Sequence, residues 1–181
     1  METQGKYNIV SIEDFDKLTK VSKSFCPLVY YHTTINTVGD QKLCCIAKAE
    51  KSNDITKVTK SENSIEQWWN SDYLQKSRKL LNNNQYPTAC LECKENDDMG
   101  IASFRSQNIE KVRTNEDLRS YIYSEANYAT ENNFKVNNQS PINFDIKFGN
   151  LCNLKCRMCD YVSSSQTVSY THLTLPTSSW V

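Results

Sequence analysis

The sequence is poor in several features that commonly indicate function. It has only two histidines in 181 residues, so any metal site in this chain has to rest on other ligands. Acidic and basic side chains are balanced at 21 each, and this lack of net charge does not favour a nucleic acid or a membrane surface as partner. No apolar run is long enough to span a membrane, and residues 1–6 do not resemble a signal peptide. We therefore predict a cytoplasmic protein that binds neither membranes nor nucleic acids.

Cysteine, in contrast, is abundant, with eight residues in the chain. Because a signal peptide is missing, we interpret these cysteines as reduced thiols that serve as metal ligands rather than as a secreted disulfide scaffold. Hydrophobic residues make up 38% of the sequence, which is low for a compact globular domain. A bound metal group would help to stabilise such a small core.

Three of the cysteines lie within eight residues, at Cys152, Cys156 and Cys159, directly after a strand-like segment at 142–148. The strand is indicated by apolar residues that alternate with polar ones. The CxxxCxxC spacing lets one tight loop direct three sulfurs at a single thiophilic centre. A tetrahedral zinc site or a four-iron cluster needs four ligands, so this loop leaves one position open. Part of a zinc knuckle and a chance group of thiols are the alternatives.

The strand followed by CxxxCxxC resembles the cluster loop of radical S-adenosylmethionine (SAM) enzymes. The resemblance implies that Cys152, Cys156 and Cys159 hold a 4Fe–4S cluster whose fourth iron binds SAM. An electron from that cluster would cleave SAM to a 5′-deoxyadenosyl radical, which makes the protein an oxidoreductase supplied by a reductant such as a flavodoxin or ferredoxin. The strand would be the first of a parallel βα barrel, with the loop at its C-terminal end. The substrate is unknown, and a peptide is one possibility.

The other five cysteines lie in the first half of the chain, at Cys26, Cys44, Cys45, Cys90 and Cys93. Two strand-like segments, 25–38 and 41–47, flank Gly39-Asp40 and predict a β-hairpin with cysteines on both arms. His32 lies on the first arm, where a packed histidine and a metal ligand are the two interpretations.

The Gly-x-x-x-x-Cys spacing from Gly39 to Cys44, together with Cys26 and the downstream CxxC, resembles the SPASM and Twitch auxiliary-cluster domains of radical SAM proteins. The resemblance implies that an auxiliary 4Fe–4S cluster is held by Cys26, Cys44, Cys90 and Cys93. A four-cysteine zinc site is the alternative. Neighbouring strand residues point to opposite faces, so only one of Cys44 and Cys45 should reach the metal, and the glycine spacing favours Cys44.

We predict an α+β auxiliary-cluster domain, a β-hairpin plus helices, followed by the first strand of a truncated parallel βα barrel. Residues 168–181 resemble a translated sequencing adapter, so we expect the natural protein to continue and this truncated chain to be inactive as an enzyme. The rival functions are a non-enzymatic iron–sulfur electron carrier and a zinc-stapled interaction module. The predicted divisions are a polar segment at 1–21, a SPASM/Twitch-like domain at 22–110, a helical linker at 111–140, the start of a radical SAM core at 141–167 and the adapter-like tail at 168–181.

Overall fold

The computed structural model describes residues 7–37, 39–48, 56–57, 64–149 and 151. The predictions for Cys152, Cys156, Cys159 and the tail at 168–181 lie outside the described residues. The described elements, in chain order, are α1 (Ile12–Val21), α2 (Leu28–Tyr31), β1 (His32–Ile35), β2 (Asp40–Lys42), β3 (Thr56–Lys57), α3 (Ser64–Trp69), α4 (Asp72–Asn82), a 3-10 turn (Thr88–Cys90), α5 (Leu91–Asp98), α6 (Phe104–Thr114), α7 (Glu116–Glu131) and β4 (Asn143–Ile146).

Serine caps begin helices where the sequence indicates them. The Ser11 hydroxyl accepts a hydrogen bond from the Asp14 amide at 3.0 Å, and α1 begins at the next residue. The Ser71 hydroxyl accepts from the Leu74 amide at 3.4 Å, so α3 and α4 are separate helices joined by a recapped turn. An N-terminal serine satisfies one of the amides that have no partner within the helix. The sequence predicts both caps, Ser11 because a carboxylate follows at Asp14 and Ser71 because Asn70-Ser71 can divide a helix, and the structure confirms them.

Two helix boundaries differ from the sequence-based expectation. From Cys93 the sequence predicts a helical stretch through Met99, Ile101 and Phe104. In the structure, α5 ends at Asp98, Gly100 adopts φ +71°, and Ser103 caps a new helix, α6. Glycine tolerates this left-handed backbone conformation without a steric penalty, which makes it a common helix terminator. The other difference is in the predicted helical linker at 111–140, which contains the end of α6 followed by α7, and α7 ends at Glu131.

Four strands form one sheet, in the order β3-β2-β1-β4. β1 and β2 are antiparallel neighbours joined through Gly39, whose φ is +84°, so the predicted hairpin is confirmed. Its arms are much shorter than predicted. Leu28–Tyr31 is helical because Pro27 already has helical backbone angles, and residues 43–47 leave the ladder after Lys42. The aromatic and β-branched content that favours strands is overridden here by local packing.

β4 confirms the strand predicted before the CxxxCxxC loop, and it pairs in parallel with β1, with His32 opposite Asn143. It is an edge strand of the hairpin's own sheet, and no closed barrel is present in the part of the chain that the structure describes. Phe144 and Ile146 are each 41% exposed. The strand therefore extends the sheet that contains the hairpin instead of standing apart from it.

A single core joins the helices to the sheet. Side chains from α1, α2, α4 and α7 pack together with the Trp68-Trp69 pair, and both tryptophans are buried as predicted. The helix predicted as a linker, α7, contributes Ile122, Ala126 and Ala129 to this core. Across the described ranges, none of the helices combines the length and the apolar character that crossing a membrane requires.

Arg78 lies at the centre of this core with no solvent-accessible surface. Its guanidinium donates hydrogen bonds to three backbone carbonyls, those of Val29 at 2.9 Å, Trp69 at 2.8 Å and Phe134 at 3.2 Å. It also lies 4.8 Å from the centre of the Trp69 ring. Burial lowers the pKa of Arg78 to about 10, which still leaves it charged at neutral pH. One side chain thus joins α2, the end of α3 and the segment after α7.

We expect Arg78→Met to reduce the free energy of unfolding by roughly 3–5 kcal/mol, because three buried carbonyls lose their donor and the charge that faces buried Glu125 is removed. Denaturation of the reduced, metal-free protein in urea measures this change. Lys79→Met, at an exposed position of the same helix, is the matched control and should change stability by less than about 0.5 kcal/mol. Equal stabilities of the two variants would contradict this role of Arg78.

Candidate metal centre

Four cysteines from four points of the chain line one cavity. They are Cys26 ahead of α2, Cys44 just after β2, Cys90 at the end of the 3-10 turn and Cys93 in α5. The remaining lining residues are Ile46, Leu81, Tyr86, Ala89, Glu92 and Arg105. The structure therefore brings together the four cysteines that the SPASM/Twitch resemblance implies as ligands.

Local backbone structure directs N–H groups at three of these sulfurs. The Cys26 sulfur accepts from the amide of Leu28 at the start of α2. The Cys44 sulfur accepts from the amides of Ile46 and Ala47, because the chain turns back directly after β2. These contacts favour a thiolate over a thiol. The backbone is thus arranged to stabilise sulfur in its metal-ligating form.

Cys93 receives its donors from the N-terminus of α6. Its sulfur accepts from the Arg105 amide and from the hydroxyl of Ser103, the residue that caps this helix. The first amides of a helix have no intrahelical partner, and the helix dipole places partial positive charge there. The break between α5 and α6 at Gly100 is what lets the second helix direct its N-terminus back at Cys93.

In the metal-free protein, burial outweighs these donors. Desolvation raises the pKa of Cys44 to about 12, raises the pKa of Cys26 well above its usual range, and raises the pKa of Cys93 as well. Neighbouring thiols raise the pKa of Cys26 further, because two thiolates repel each other. All three are therefore protonated thiols at neutral pH, and binding as thiolates would release their protons.

Cys45 lies beside Cys44 but is exposed and is not among the residues that line the cavity. The argument from strand alternation, that only one of Cys44 and Cys45 should reach the metal, was wrong in its premise, because β2 ends at Lys42 and neither cysteine belongs to a strand. A turn after β2 gives the two cysteines different exposure to solvent. In this turn the Ala47 amide donates to the Cys44 carbonyl at 3.2 Å.

His32 lies in the sheet and does not line the cavity. Its Nδ1 is 2.7 Å from the Asn143 side-chain oxygen, and its Nε2 is 3.2 Å from the Thr34 hydroxyl. Burial lowers its pKa, so it is neutral at pH 7. Both nitrogens therefore have partners in β1 and β4, which corresponds to the packed-histidine interpretation.

The chemistry of the four sulfurs fits a thiophilic metal group. In the described residues, no three His, Cys, Asp or Glu side chains are grouped closely enough to hold one metal ion. A mononuclear zinc site with bonds of about 2.3 Å would place its sulfurs roughly 3.8 Å apart, whereas a four-iron cluster binds each thiolate to a different iron. The enclosed part of the cavity measures about 20 Å³, the room that one water molecule needs. A multi-iron group therefore has to widen it.

Sequence reasoning missed the residues that surround the sulfurs. Ser103 had a recognisable signal, because a serine two residues beyond Ile101 can cap the helix that follows. No feature of the sequence indicated Arg105 or Asp97. Their ion pair, 2.8 Å between nitrogen and oxygen, connects two helices and exists only in the folded chain.

We expect the alkylation rate of Cys44 by iodoacetamide in the reduced, metal-free protein to rise about tenfold per pH unit from pH 8 to pH 11. The reagent attacks the thiolate, and its population keeps growing until the pH reaches the raised pKa. Peptide mapping by mass spectrometry resolves Cys44 from exposed Cys45, which we expect to react faster because it is accessible. A rate for Cys44 that levels off near pH 9 would contradict the raised pKa.

Comparison with known protein families gives one match in this region. Residues 26–94 match the family model of the SPASM iron-sulfur cluster-binding domain. No curated protein and no solved structure gives a significant match to the chain. The matched segment begins at Cys26 and ends one residue after Cys93, so it contains all four cysteines that line the cavity. This part of the chain is therefore similar to domains that bind iron–sulfur clusters.

Proposed function

We propose that residues 26–94 form an auxiliary-cluster domain that holds one 4Fe–4S cluster. The ligands would be the four cavity cysteines, Cys26, Cys44, Cys90 and Cys93. One observation carries the proposal: these thiols meet at one cavity, inside the segment that matches an iron-sulfur cluster-binding family. The thiolate ligands are of the type that such clusters require.

The residues around the cysteines have definable tasks in this proposal. Amides of Leu28, Ile46 and Ala47 donate to sulfurs and hold negative charge on them. Leu81 and Ala89 form apolar walls that limit access of water. Hydrogen bonds to the sulfurs and exclusion of solvent both set the reduction potential of a bound cluster. When bound, the cluster would supply either one-electron transfer or a position at which substrate binds.

We propose further that the chain belongs to a cytoplasmic radical SAM enzyme, an oxidoreductase. Two features support this: SPASM domains occur in such enzymes, and CxxxCxxC follows soon after β4. Cys152, Cys156 and Cys159 would hold the cluster that binds and cleaves SAM. A flavodoxin or ferredoxin would deliver the electron, and a peptide is one candidate substrate. A complete catalytic domain would be needed for turnover.

We expect anaerobic reconstitution of the full 181-residue chain to yield about eight irons per chain and absorption in the visible range. Cys152/Cys156/Cys159→Ala should lose about four of these irons and retain the cluster in the cavity. Metal analysis and spectra measure both. Stoichiometric zinc with negligible iron would instead indicate a zinc-stapled module, and iron without SAM binding would indicate an electron carrier.

We expect Cys44→Ser, made in the Cys152/Cys156/Cys159→Ala background, to remove most of the remaining iron. Cys44 lines the cavity with two amides directed at its sulfur, whereas adjacent Cys45 is exposed. Cys45→Ser is the matched control and should retain about four irons per chain. Equal losses, or a greater loss from Cys45→Ser, would show that the wrong thiol has been assigned.

A further inference from the structure

One ion pair stands at the wall of the thiol cavity. Among the described residues that line it, Arg105 is the one cation and Glu92 the one carboxylate. The Arg105 guanidinium forms an ion pair with Asp97 at 2.8 Å and donates to the Phe25 carbonyl at 3.0 Å. Side chains of Arg105 and Asp97 are only 12% and 18% exposed. Such a pair is screened much less by salt than a surface pair.

The position of Arg105 is fixed from several directions. Its backbone amide donates to the Cys93 sulfur, so the residue contacts a proposed ligand through its main chain, and it is also one of the residues that line the cavity. Asp97 in turn accepts from the hydroxyl of Tyr86 at 3.1 Å, and Tyr86 lines the same cavity. The guanidinium is therefore fixed in place, at a position where its charge acts on the Cys93 sulfur.

We infer that Arg105, held by Asp97, raises the reduction potential of the cluster in the cavity by placing a buried positive charge next to Cys93. This inference rests on the proposed function. Dithionite donates one electron to the bound cluster and is itself oxidised, and no bond to the protein forms or breaks. The added electron increases negative charge in a site of low dielectric, so a nearby cation stabilises the reduced form. Asp97 opposes that effect, and its charge acts on Cys93 more strongly than the charge of Arg105 does, so the contribution of Arg105 has to be measured by substituting each partner alone.

The two partners of the ion pair should therefore affect the midpoint potential in opposite directions. Removing the cation should lower the midpoint potential, and removing the anion should raise it. A structural role of the same pair gives a different pattern, because loss of either partner breaks the same contact and affects stability in the same direction. The midpoint potential separates the two roles, whereas the stability of the fold does not.

The test compares variants of the full 181-residue chain in the Cys152/Cys156/Cys159→Ala background, so that a single cluster is titrated. Each protein is reconstituted anaerobically, its iron is counted, and its midpoint potential is measured with dithionite by electron paramagnetic resonance. For Arg105→Gln we expect the ratio of reduced to oxidised cluster at a fixed potential to fall about tenfold, which is about 59 mV for a one-electron couple. Arg105→Lys, which keeps the charge, should restore most of the lost ratio of reduced to oxidised cluster.

Asp97→Asn should raise the potential, and it retains an oxygen that can accept from Arg105. Lys94→Gln is the matched control, because Lys94 is next to Cys93 in sequence but exposed and paired with Asp98. Its potential should equal that of the parent. If Arg105→Gln binds no iron, the other two variants still test the sign of the effect. The midpoint potential should rise in Asp97→Asn and should stay close to the parent's in Arg105→Lys.

Shifts of Arg105→Gln and Asp97→Asn in the same direction, or potentials equal to the parent's, overturn this inference and leave the proposed function standing. A parent chain that binds no iron overturns the proposed function, and the inference with it.

Discussion

The buried guanidinium of Arg78 is the interaction on which the arrangement of this fold depends. It donates to carbonyls in α2, at the end of α3 and in the segment after α7. The carbonyls of Val29 and Trp69 are buried, and a buried carbonyl without a hydrogen-bond donor is unfavourable. A cation in this position costs desolvation, and the Trp69 ring and nearby Glu125 offset part of that cost. The geometry of three segments is therefore set by one side chain.

The hydrogen bonds of Arg78 also bear on where the thiols lie. Cys26 immediately precedes the helix whose Val29 carbonyl accepts from Arg78, and Leu81, one turn along α4 from Arg78, lines the thiol cavity. The cavity therefore lies against the hydrophobic core. In the metal-free protein this leaves several protonated thiols in an apolar setting, with backbone N–H groups already directed at three of them. Such a site favours a ligand that replaces those protons with positive charge.

The sheet connects the cavity side of the molecule to the strand that precedes the CxxxCxxC motif. β1 pairs with the hairpin arm that leads to Cys44 and, on its other edge, with β4. His32 ties β1 to β4 through Asn143. The hairpin that leads to Cys44 and the strand that precedes the second cysteine motif thus belong to one hydrogen-bonded sheet.

The sequence alone determined the local features, since short-range chemistry controls them. Serine caps at Ser11 and Ser71, the turn at Gly39 and the alternation in β4 follow from neighbouring residues, and the structure has all of them. Which four thiols would meet was implied by the resemblance to SPASM and Twitch domains. The sequence alone did not predict the lengths of the strands. Pro27 begins a helix within a β-rich stretch, and the core then buries the aromatic residues that follow.

Only the tertiary structure decided the surroundings of the sulfurs and the partner of β4. The ion pair of Arg105 with Asp97, the hydrogen bonds of Arg78 and the parallel pairing of β4 with β1 all join residues that are separated along the chain. The pattern of one segment carries no information about which distant segment packs against it. These contacts arise because burial leaves polar groups that must find partners, and the folded chain determines which partners are within reach.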